Sequence, residues 1–290
     1  METGIAQGFK QLTLALFTTL APAGSICFIF LLVYGFFFIK SENAKRRLQR
    51  FLIIPLSFSL VGLIASTNHL GNPSNALYVL TGVGRSPLSN EVIASAAFVG
   101  IAWIFWLAGF SKKVTIKHLR CALPFAITAG LAQIWFTSFA YNIETISSWS
   151  LVFTPVNQIL SALVGGCALS LFTLAFAEID CSKTTATTII IVACVSTILL
   201  FTSELIQSAV FYTLASTTTL LPEIFPQYPL FLAGSTIMLF AACVLLLVCK
   251  GRKNLSSRCS TLAILIVTML GIFLTRFTFY CTYLNVGLVV

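Results

Sequence analysis

Four ionisable side chains interrupt the apolar stretches of this 290-residue sequence: His69, Glu91, Glu204 and Arg276. An ionisable group in hydrocarbon is costly, so it points to a function or to a paired partner. One base, two acids and a guanidinium gathered in one place would suit a lipid-soluble substrate that releases protons. Oxidation of a quinol needs a group within hydrogen-bond reach that accepts a hydroxyl proton, with a pKa near the working pH. Histidine meets that need unperturbed, and a partly buried glutamate can be shifted towards it. Asn68, Asn90 or Arg276 is available to hold the second oxygen.

Such chemistry requires elements that bring the four side chains to one depth. The sequence is 58% hydrophobic and 9% charged, against roughly 25% charged in a soluble domain. Too few charges remain to cover a water-facing surface. A hydrocarbon core about 30 Å thick takes roughly 20 apolar residues per helix. Runs of that length predict an all-α integral membrane protein, a bundle of eight transmembrane helices in a single polytopic membrane domain over residues 1–290. The spans are expected at about 11–39, 51–68, 91–110, 121–140, 151–177, 187–212, 229–249 and 259–283. Ala21, Pro22 and Ala23 superficially resemble a signal-cleavage site. The apolar run continues through Ile39, and a single basic residue, Lys10, precedes it, so it reads as an uncleaved first span.

The connections alternate in charge. Loops one, three, five and seven hold 14 of the 17 basic residues, among them Lys45, Arg46 and Arg47, Lys113 and Lys117, Lys183, and Lys250 and Arg258. Cytoplasmic loops are enriched in Lys and Arg, which places these loops inside and both termini on the periplasmic side of a bacterial inner membrane. Basic runs can also contact nucleic acid or anionic lipid, but membrane orientation alone accounts for them, and no nucleic-acid partner is expected. Tyr and Trp of the outer loops, Trp149 and Tyr228 among them, fit interfacial anchoring.

In that orientation His69 ends span two on the outside and Glu91 begins span three. Ser86 and Pro87 supply an N-cap and a first-turn proline, and an anion near that helix start is favoured by the macrodipole. Glu204 and Arg276 lie in the outward-running last thirds of spans six and eight. All four therefore fall in the outer third of the membrane, as a shallow polar pocket or as end residues snorkelling to the interface. A haem is not expected, because the second histidine, His118, falls in a loop on the opposite side. None of the nine cysteines forms a CxxC pair, and they read as small apolar helix residues. With no carrier of its own, the chain must pass electrons to an acceptor on the face that holds the pocket.

The stretch His69-Leu70-Gly71-Asn72-Pro73, then Val83 to Glu91 through Arg85, Ser86 and Pro87, resembles the membrane anchor (C) subunit of anaerobic dimethyl sulfoxide reductase. So do Tyr141-Asn142, Glu144-Thr145, Trp149, Phe153-Thr154-Pro155 and Gly165-Gly166, followed by Glu204 and the run from Arg276 to Tyr280. The resemblance runs nearly end to end, and its specific part is the segment from His69 to Glu91. It implies a haem-free, eight-helix subunit that binds and oxidises menaquinol, with no cofactor and no reductase active site of its own. Its partners would be an iron–sulfur electron-transfer subunit and a molybdopterin catalytic subunit, working in anaerobic respiration. It also implies that His69 and Glu91 take part in quinol binding; Glu204 and Arg276 match family positions, and their role is proposed from depth. The Tyr141-Asn142 segment is one residue shorter than the family pattern, and Glu144 stands in place of an expected aspartate. Two other readings compete: a secondary transporter, which needs discontinuous helices and repeats not found here, and a purely structural anchor without a quinol site.

Overall fold

A computed structural model describes residues 4–67, 73–111, 113–213, 221–252 and 254–284. Asn68 and His69 lie outside the described residues. Eleven α-helices follow in order among them: α1 (Ile5–Lys10), α2 (Leu12–Phe37), α3 (Glu42–Phe51), α4 (Ile53–Thr67), α5 (Pro87–Ala108), α6 (Ile116–Ala140), α7 (Phe153–Phe176), α8 (Lys183–Phe211), α9 (Leu221–Ile224), α10 (Tyr228–Gly251) and α11 (Arg258–Cys281). A 3₁₀ segment, Pro73–Gly82, lies between α4 and α5. Eight spans are long and apolar enough to cross a membrane among the described residues, with α3 and α4 together supplying the second.

Local sequence explains where the helices start. Ser41, Ser86, Ser182 and Ser257 each accept an N–H of the first turn through the side-chain oxygen, relieving one of the donors a helix start leaves open. Ser86 followed by Pro87 is the expected start of α5. It sets that start one turn earlier than 91, so Glu91 stands in the second turn, where the macrodipole acts weakly. Thr115 and His118 form a capping box at the start of α6, with His118 Nδ1 accepting from Thr115 N at 3.2 Å. His118 is thus a helix-start residue rather than a loop residue.

The largest departure from expectation is loop one. Lys45, Arg46, Arg47 and Arg50 lie on helix α3, which runs almost directly into α4. The same helix buries Leu48 and Gln49. Arg46 donates to the carbonyls of Gly109 and Val114 at 3.0 and 2.9 Å, and Arg47 to that of Glu178 at 2.6 Å. Guanidinium groups here satisfy carbonyls left open at and just beyond the C-terminal ends of α5 and α7.

Helices α2 and α7 form the centre: 67% and 72% of their membrane segments are enclosed by protein, against 28% for α10. Helix α4 packs on α2; α6 and α11 close over the α2–α7 pair; α5 lies on α6; and α10 bridges α8 and α11. Small residues allow the close approach. A Cβ added at Gly24 would come within 2.6 Å of the Pro55 carbonyl oxygen, and one at Gly166 would collide with Ile26. Apolar side chains such as Ile104, Phe125 and Ile237 point outward, as a hydrocarbon-facing surface requires.

Candidate functional site

Arg276 is the hub. It sits in the last two turns of α11, towards the outer end of the bundle, and is 1% exposed. Its Nε donates to Thr18 Oγ1 of α2 at 3.2 Å, and its guanidinium carbon lies 4.5 Å from the centre of the Phe279 ring and 5.7 Å from that of Tyr280. Its Nη2 is buried without a hydrogen-bond partner. A guanidinium held this way retains one free donor.

The two acids flank it. Glu91 on α5 and Glu204 on α8 are 2% and 6% exposed, and both interact electrostatically with Arg276. Tyr141 and Thr137 neighbour the Glu91 carboxyl and Thr275 neighbours Glu204; the hydroxyls of Tyr141, Thr275 and Tyr280 are buried without a hydrogen-bond partner. Oε1 of Glu91 is buried with no hydrogen-bond partner. Burial, then the neighbouring Glu91 carboxylate, pushes the Tyr141 hydroxyl well above its usual range, so it stays protonated and available as a donor. Tyr280 reaches towards both Tyr141 and Thr18. The result is a belt of polar groups across the outer part of the bundle, from Glu91 through the two tyrosines and Arg276 to Glu204.

Neutral polar side chains extend the belt. Gln158 Nε2 donates to the Thr18 carbonyl at 2.8 Å, and Asn157 Nδ2 donates to Gln207 Oε1 at 2.8 Å. Deeper along α6, Gln133 accepts from Ser25 Oγ at 2.7 Å and donates to Thr137 at 3.2 Å. On the Glu204 side a cavity of about 30 Å³ is lined by Asn157, Glu204, Gln207, Tyr228, Thr275 and Arg276. That volume admits a water molecule; a quinol ring would have to displace side chains. A second hollow of similar volume lies outward of it and shares Phe211 and Tyr228, whose rings meet edge to face at 5.4 Å.

Of the residues singled out from sequence, Glu91, Glu204 and Arg276 come together. Asn90 is placed differently: its Oδ1 accepts from Gly84 N at 2.7 Å, fixing a turn in which Gly84 adopts φ 81°. Asn68 and His69 fall outside the described residues. Trp149 is not an interfacial anchor. It is 5% exposed, stacked 4.8 Å from Phe279, and donates through Nε1 to the Phe279 carbonyl at 3.2 Å. Loop four, the connection between α6 and α7, is tied to the end of α11 again by Ser148, whose Oγ donates to the Thr282 carbonyl at 2.5 Å. This loop therefore holds in place the ring on which Arg276 rests.

Sequence reasoning quoted Tyr141 and Tyr280 only as motif residues, with no role in the site, and missed Thr18, Thr137, Asn157, Gln158 and Gln207. The available signal was the presence of Gln and Asn inside apolar spans, since amides in hydrocarbon must find partners. Among the described residues no three His, Cys, Asp or Glu side chains gather to hold a metal.

The sequence profile of a family described as "DMSO reductase anchor subunit (DmsC)" matches residues 5–282. The C subunit of the anaerobic dimethyl sulfoxide reductase of Escherichia coli strain K12 is 26% identical, with 99% of both sequences covered. A second E. coli protein, the YnfH subunit of an anaerobic dimethyl sulfoxide reductase, is 27% identical over 62% of this sequence and 63% of its own length. The corresponding C subunit from Haemophilus influenzae is 29% identical over 56% of this sequence and 58% of its own. The aligned region thus spans less than two thirds of the last two relatives and nearly the whole of the first.

Proposed function

Because this chain belongs to the DMSO reductase anchor subunit family, we propose that it oxidises menaquinol and passes the electrons to an iron–sulfur subunit feeding a molybdopterin catalytic subunit. The observation that carries this reading is the buried belt in which Arg276 lies between two carboxyls. A quinol releases two protons and two electrons. Glu91, with Tyr141 and Thr137 around it, or His69 takes one hydroxyl proton. The free Nη2 of Arg276 donates a hydrogen bond to the second oxygen, whose proton passes to Glu204 and leaves on the cavity side. The hollow outward of Phe211 and Tyr228 supports entry of the ring by that route, with the two aromatic side chains swinging aside.

The belt lies at the end of the bundle opposite the basic connections. With those connections in the cytoplasm, both termini, the quinol site and the docked partners lie on the periplasmic face of the inner membrane. Electrons then travel a short way to the partner, and this chain needs no carrier across the bilayer.

His69→Ala and Glu91→Gln variants, checked for normal assembly with the partner subunits, test the reading. Both are expected to lose most quinol-dependent reduction, since a positioned proton acceptor contributes roughly 10²–10⁴-fold. Full activity in normally assembled complexes would refute it.

A further inference from the structure

We propose that the basic end of the bundle holds one anionic phospholipid, between the ends of α7, α8 and α10 and the turn into α11. A cavity of about 500 Å³ opens there, within the size range of ligand pockets. Its walls include Leu171, Leu174 and Leu255, and its rim carries Lys183, Lys250 and Asp180. Apolar wall below and ammonium groups above match a molecule with an acyl chain and a phosphate.

The state of the surrounding charges singles out the two lysines. Arg258 is committed to Glu178 at 2.5 Å and stacks over Phe176 at 5.4 Å. Arg47 is committed to the Glu178 carbonyl. Lys183, the first residue of α8, and Lys250, at the end of α10, are exposed at the cavity mouth. Among the described residues neither ammonium group has a hydrogen-bond or ion-pair partner. Asp180 reduces the net charge of the rim to that of one cation, which suits a single phosphate diester and disfavours a multiply charged soluble anion. A neutral lipid would leave both lysines idle, and a water-soluble anion would leave the apolar wall uncovered. Nothing in this site depends on the quinol reading, since it occupies the opposite end of the helices.

The test uses the full chain purified in a neutral detergent, with bound lipid read by native mass spectrometry. Phosphatidylglycerol and phosphatidylcholine of identical acyl composition are supplied at equal concentration, and glycerol 3-phosphate serves as a headgroup without acyl tails. One phosphatidylglycerol per protein is expected to be retained, with phosphatidylcholine at least about tenfold weaker. A Lys183→Gln/Lys250→Gln variant should lose roughly thirtyfold in affinity, from the attraction each lysine contributes near a lipid surface; both side chains are exposed, so the fold should persist. Asp180→Asn should bind more tightly. Equal retention of the two lipids, unchanged binding by the double variant, or displacement of the lipid by glycerol 3-phosphate would each overturn the proposal.

Discussion

At the scale of single residues, the chemistry turns on how Arg276 is held. A lysine keeps the charge but has neither the flat surface that rests on Phe279 nor the fork that serves Thr18 and, in the proposed site, a substrate oxygen as well. Arg276→Lys is therefore expected to lower quinol-dependent turnover by roughly tenfold, about one charge-assisted hydrogen bond, while the complex still assembles. Turnover equal to that of the parent would show that charge alone suffices. Arg276 and Glu204 were legible in the sequence because a charge within an apolar run demands a reason, and their distances from the helix ends gave their depth. Their neighbours were not. Tyr141, Tyr280 and Gln158 are ordinary residues for a membrane helix or its end, and no periodicity tells which of them turns towards Arg276. Asn90 shows the converse: next to Glu91 in sequence, it serves a turn at Gly84.

At the scale of elements, the site depends on a loop that sequence reasoning assigned to the membrane interface. Trp149 reaches from loop four to the last turn of α11 and supports the Phe279 ring beneath the guanidinium. Trp149→Ala should cost about 3 kcal/mol of stability, as expected for truncating a buried large aromatic. It should also reduce quinol-dependent activity, because Phe279 would lose its support. Chemical denaturation of the detergent-purified protein and turnover of the complex measure the two effects. A variant that is as stable as the parent would remove loop four from this role. Tryptophan in a short outer loop reads equally well as an anchor, since the partner that buries it, α11, is 130 residues away. Helix α3 was hidden for a related reason. Its run of Lys and Arg looks like a solvated loop, yet Ser41 caps it and Leu48 marks its buried face. The eight apolar spans were legible because their length and spacing follow from bilayer thickness alone.

At the scale of the whole molecule, placing the proposed quinol site near one end of the helices makes the orientation of the bundle consequential. Single cysteines at Ser147 in loop four and at Lys113 in the basic loop after α5 should differ in labelling by a membrane-impermeant maleimide. With the basic loops in the cytoplasm, the first reacts in intact cells and the second only after lysis; the opposite pattern would invert the docking face. Anchoring and quinol oxidation separate most directly when electrons are supplied to the assembled complex by two routes. One donor is menaquinol. The other is a reduced water-soluble dye that feeds the partner subunits without entering the membrane. If quinol is oxidised at the belt around Arg276, Glu91→Gln should lower the quinol-driven rate by roughly a hundredfold or more and leave the dye-driven rate unchanged. Equal rates from both donors in parent and variant would contradict a quinol site at Glu91 and leave this subunit as an anchor alone.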